Sequence, residues 1–197
     1  MKLFETINRF KGQYFVLSIL SICLLVLTAV LLRRNPQIFN KLLGKFHPVL
    51  ALSIVIALGF VVFTVIMEIT DLEVISNGGH RLLFYSIIAA ALLTLLIIFF
   101  VDLQGGYEED INVLAPDGLL YYPVMGYLAD IIFHVIPFTI LLLLARFLLG
   151  ADLNQNIPVW IFLIASLFEP LFQALIMQSS GWVQTYQFVH IFIINLI

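Results

Sequence analysis

Apolar runs about as long as a bilayer is thick dominate this 197-residue chain and leave it few ways to fold. A helix crossing the hydrocarbon core needs about 20 apolar residues at a rise of about 1.5 Å each. Tyr14–Leu32 meets that length and ends at Arg33 and Arg34. A basic link carrying Lys41 and Lys45 follows, and 48–67 forms a second run closed by Glu68 and Asp71. Asn77, Gly78 and Gly79 signal a turn. The third run, 82–101, carries Ser86, Ala90 and Thr94 four residues apart, a small-residue seam suited to close helix packing. The fourth, 119–149, is too long for one ordinary span and is interrupted by Pro123 and Pro137. Tyr121 and Tyr122 read as interfacial belt aromatics at its start. The fifth, 157–177, begins with Pro158 in a position suited to a first helical turn. The sixth, 182–197, is short and lacks a closing anchor, so a continuation beyond Ile197 is expected.

Composition agrees. The chain is 62% hydrophobic and only 11% charged, whereas soluble domains are about 25% charged. The expected fold is an all-α polytopic transmembrane bundle. It has about six hydrophobic segments, with proline kinks in the fourth and fifth, in a single integral membrane domain over 1–197. The implied location is the cell membrane, multi-pass, with the lipid bilayer as solvent. A net charge of −3 argues against a nucleic-acid partner. The lone Cys23 excludes an intrachain disulfide and a thiolate metal cluster. The polar N-terminus before the first run reads as part of a retained anchor. Lys and Arg divide too evenly between the two sides to fix orientation. The acidic stretch 102–118 lacks the spacing of a calcium loop and reads as solvated.

Function concentrates in the polar residues inside the apolar runs. A charge at mid-membrane depth costs about 2.5–3.5 kcal/mol on insertion scales and marks a functional position by default. Asp130 and His134 are four apart, on one helical face, and Pro137 frees the carbonyl of Phe133. The fifth run repeats the device, with Glu169 and Gln173 four apart and Pro170 freeing the carbonyl of Ser166. On the sixth, Tyr186 and His190 share a face, and Asn195 lies five residues beyond. Convergence of these faces would gather Asp130, His134, Glu169, Gln173, His190 and Asn195. Such a set could hold a divalent metal, zinc first, through His134, His190 and Glu169 with one position open for water. Without metal, Glu169 would be the general base. Each residue also has a structural reading: Glu169 and His134 as interhelical hydrogen-bonding groups, His190 at the interface, Asn195 as packing glue.

The segment Phe168-Glu169-Pro170-Leu171-Phe172-Gln173, with Tyr186 and His190, resembles the intramembrane CAAX-processing and bacteriocin-processing (CPBP) proteases. That family's first motif is a pair of glutamates followed by an arginine, commonly with Phe before it. Glu169 falls on the second glutamate and Phe172 on the Phe. Phe168 replaces the first glutamate and Gln173 the arginine. The second motif, an aromatic four residues before His, falls on Tyr186 and His190, closer to the first motif than in the family. A final His motif would lie beyond Ile197. The resemblance covers about 160–197. It implies an endopeptidase in which Glu169 and His190 activate water, with a membrane-embedded peptide as substrate, and a diverged or inactive relative fits the same residues. Two other classes stay open: a transporter in which Asp130 or Glu169 carries a proton or ion, and a non-catalytic scaffold.

Overall fold

The computed structural model describes residues 2–70, 85, 89, 92–93, 113, 116–150, 153, 157–176, 185, 188–189, 191–193 and 195. The third apolar run and the acidic stretch therefore lie almost wholly outside the described residues, as do Tyr186 and His190. All regular structure among the described residues is helical. The chain divides into two compact units, one from 1–74 with 113–157, the other from 75–112 with 158–197.

In the first unit, α1 (Lys2–Arg9) precedes α2 (Lys11–Arg34), a short α3 (Asn40–Leu43) and α4 (Pro48–Thr70). Helix α5 (Asp117–Ala129) then runs through a π-helical stretch, Asp130–Val135, into α6 (Ile136–Leu149). Helix α6 stops at Gly150, whose φ of 62° is the left-handed cap that glycine adopts without strain. Among the described residues three bodies are long and apolar enough to cross a membrane: α2, α4 and the continuous Asp117–Leu148. Only 28–33% of the most apolar window of each is buried within the protein. Outward side chains such as Ile22, Val26 and Val61 are more than half exposed. Surface of that kind is stable against hydrocarbon rather than water.

Two apolar seams hold the unit together. On α2, Leu17, Ser21, Leu24, Thr28 and Leu31 are buried at alternating steps of four and three. On the facing helix, Tyr121, Val124, Leu128 and Ile131 follow the same rhythm, and Leu52, Val55 and Ile56 of α4 complete the core. Phe39, from the link after α2, is 1% exposed and packs 5.6 Å from the Tyr121 ring. Tyr121 is therefore a core residue and not a belt aromatic, a correction to the sequence reading. Tyr122 is exposed and meets Tyr121 edge-on.

Polar ties fix the directions of the helices. Arg34 Nε lies 3.2 Å from Asp117 Oδ1, joining the end of α2 to the start of α5. At the opposite end, Tyr14 and Thr64 share a 2.6 Å hydroxyl bond, and Arg146 Nη1 donates to the Ile69 carbonyl at 3.2 Å. Helix α2 thus runs antiparallel to both α4 and the α5–α6 body.

The second unit contributes α7 (Val159–Ala165) and α8 (Phe168–Ile176), with helical residues at 185, 188–189, 191–193 and 195. Together α7 and α8 make a shorter apolar body, Val159–Leu175.

Gly59, the central residue of α4, packs closely against the facing helix. A Cβ there would stand 3.0 Å from the Tyr127 hydroxyl and 3.3 Å from Ile131 Cδ1. Gly59→Val should destabilise the protein by about 1–3 kcal/mol, the usual cost of overpacking. Thermal unfolding in detergent should show the loss, and Tyr127→Phe should restore part of it for Gly59→Ala.

Candidate functional site

The interruption between α7 and α8 follows from Pro170. In an unbroken helix residue 170 would donate its N–H to the carbonyl of Ser166, and proline has none to give. The chain turns at Ser166 and Leu167, with Leu167 N–H reaching the Ile164 carbonyl at 3.1 Å, before α8 resumes. The Ser166 carbonyl takes a side chain instead: Asn195 Nδ2 lies 3.4 Å away. The Ser166 hydroxyl donates to the Phe162 carbonyl at 2.8 Å and has a longer branch, 3.3 Å, to the Asn195 carbonyl.

Glu169 sits beside this junction, in the first turn of α8, where the helix dipole favours a carboxylate. Gln173 Nε2 donates to its Oε1 at 3.0 Å, and Asn195 Nδ2 to its Oε2 at 3.1 Å. Both oxygens are thus held by amide N–H groups from different segments. The one-face expectation for Glu169 and Gln173 is met as a direct hydrogen bond. Each carboxylate oxygen carries two lone pairs, so more than one donor can meet it.

The other predicted pair belongs to the first unit. Asp130 and His134 open and nearly close the π-helical stretch, with His134 Nδ1 3.4 Å from Asp130 Oδ1. The Ile136 N–H reaches back five residues to the Ile131 carbonyl, and Pro137 follows within the first turn of α6. A proline that withholds one backbone bond makes a wide turn inexpensive here, and π turns recur at functional sites. The pair lies level with Gly59, at the centre of α4, which packs on Tyr127 and Ile131 to either side of Asp130. That is roughly 16 Å of helix rise from either end of α4. The Asp130 side chain is 70% exposed and that of His134 27%. Apart from tyrosines, these are the only ionisable groups between Gly118 and Ala145, and α2 and α4 carry no acidic, basic or histidine residue along their middles.

The sequence grouped six residues. The structure places Glu169, Gln173 and Asn195 in one hydrogen-bonded network and Asp130 with His134 in a second, and His190 lies outside the described residues. Among the described residues no group of three or more His, Cys, Asp or Glu could hold a metal ion. Sequence reasoning missed the Ser166 hydroxyl and the Ser166–Asn195 pairing. The signal was present in the carbonyl that Pro170 leaves without its helical donor.

No protein-family model, curated protein or solved structure matches the chain.

Removing Asn195 would strip a donor from Glu169 and from the Ser166 carbonyl together. A double-mutant cycle between Glu169→Gln and Asn195→Leu should give a coupling of about 0.6–1.7 kcal/mol, the range for polar pairs between membrane helices. Unfolding in mixed micelles measures it. A coupling near zero would mean that the bond does not form.

Proposed function

We propose that this is a six-segment, multi-pass protein of the cell membrane. In this reading its site is a diverged form of the CPBP intramembrane protease site, centred on Glu169. The observation that carries the proposal is the amide clamp on the Glu169 carboxylate. Gln173, standing where the resembling motif has arginine, donates to the carboxylate that the motif makes catalytic. Asn195, from the last apolar run, fixes the other oxygen. A general base must be held within hydrogen-bond reach of the water it activates, and a carboxylate pinned at both oxygens is oriented before substrate arrives. Glu169 would accept a proton from water as that water attacks the peptide carbonyl, with His190 as second polar group. Phe168 supplies no second carboxylate, so the expected hydrolysis is slow. The test is cleavage of a membrane-embedded or prenylated peptide by the purified protein in lipid. Glu169→Ala should lower the rate by about 10²–10⁴-fold, the usual contribution of a general base. Equal rates for the wild type and Glu169→Ala would overturn the reading, as would a folded wild type that cleaves nothing.

A second reading, ion-coupled transport, draws on the Asp130–His134 pair in the π-helical stretch. An ionisable pair in the middle of a membrane-length helix is suited to carrying a proton. Proton-linked solute uptake into proteoliposomes, lost in Asp130→Asn and kept in Glu169→Ala, would favour transport over hydrolysis.

A further inference from the structure

At the end of the first unit where α1, the last turn of α4 and the last turn of α6 meet, the structure holds a cleft of about 690 Å³. Its polar lining includes Arg9, Glu68 and Arg146, and its apolar lining includes Val65, Leu143 and Phe147. These residues are ordered by depth. Val65 and Leu143 each sit one helical turn nearer the middle of their helices than Glu68 and Arg146–Phe147. Val65 and Leu143 thus lie deeper along their helices than the charged Glu68 and Arg146. That gradient matches an amphiphile standing at a membrane surface. In the sequence, α1 alternates Leu3, Phe4 and Ile7 with Lys2, Glu5 and Arg9, the pattern of a helix lying along that surface.

The charged residues have their own logic. Arg146 spends one N–H on the Ile69 carbonyl, one of the terminal carbonyls of α4, which anchors the guanidinium while four donors remain. Arg9 lies over the Phe10 ring, 5.0 Å from its centroid, which also limits its freedom. Two guanidinium groups are suited to a phosphate. Glu68 shares the cleft with Arg9 and Arg146, and it stands in the last turn of α4, which has no basic residue of its own and where the helix dipole disfavours an anion. A ligand bringing a cation there relieves that cost. The cleft therefore asks for a phosphate, a neighbouring ammonium and an acyl chain.

We propose that this cleft binds one phospholipid with an amine-bearing zwitterionic headgroup. Arg9 and Arg146 take the phosphate, Glu68 the ammonium, and an acyl chain runs down past Val65, Leu143 and Phe147. The site is separate from Glu169 and holds whichever reaction Glu169 performs.

The test is native mass spectrometry of the full-length protein released from vesicles with equal parts of phosphatidylcholine, phosphatidylethanolamine and phosphatidylglycerol. One retained phosphatidylethanolamine is expected. Arg9→Gln and Glu68→Gln should each weaken retention roughly tenfold, the effect of one lost charge-assisted hydrogen bond. Glu169→Ala should leave it unchanged, which separates this site from the proposed protease chemistry. Unchanged thermal unfolding of Arg9→Gln and Glu68→Gln in detergent separates loss of the lipid from a folding defect. The proposal is overturned if no lipid is retained, if phosphatidylglycerol is retained equally, or if both variants hold the lipid as the wild type does. Displacement by inorganic phosphate alone would also overturn it, since that would make the site one for a soluble anion.

Discussion

A backbone carbonyl or N–H surrounded by hydrocarbon must find its partner inside the protein, because lipid offers none. Much of this structure depends on that rule. Ser18, Ser21, Thr28, Ser53, Thr64, Thr70, Thr139 and Ser166 each donate a hydroxyl to the carbonyl four residues earlier. Polar side chains thus travel along apolar helices without leaving an unpaired donor. Two of the prolines that withhold an N–H, Pro137 and Pro170, are answered differently. Beside Pro137 the helix widens into a π turn, while beside Pro170 a carboxamide from the last apolar run takes the orphaned carbonyl. In both places an ionisable residue stands at the repair.

This has a chemical corollary at Glu169. The same Asn195 amide serves the Ser166 carbonyl and the Glu169 carboxylate. Backbone repair and placement of the Glu169 carboxylate are thus one arrangement, and substitution at position 195 would disturb both. A carboxylate facing neutral amides also differs from one facing the arginine of the resembling motif. The amides orient it without adding a full positive charge.

The helical runs were legible because bilayer length and apolar composition leave little else, and α2 and α4 appear as expected with ends extended by a few residues. Tyr121 was misread because an aromatic near the end of an apolar run has the same local signature at the interface and in the core. Only the return of Phe39 from the link, a tertiary event, decides between them. In the polar constellation, the i, i+4 pairs were readable from helical geometry alone. The partner of the Ser166 carbonyl was not, because Asn195 lies 29 residues away and spacing carries no information across a turn. The charged cleft escaped notice for the same reason, since Arg9, Glu68 and Arg146 come from three distant segments.

The α2–α5 seam bears on how the protein is made. Its two sides, Leu17–Leu31 and Tyr121–Ile131, are separated by some ninety residues of chain, so α2 enters the bilayer well before its partner is synthesised. During that interval Ser21 and Thr28 already have their hydroxyls bonded within α2. The helix can wait in lipid with its small, notched face uncovered and no polar debt outstanding. Insertion and assembly are thereby separable events, and a ribosome pausing between them would leave a stable, solitary helix rather than a damaged one.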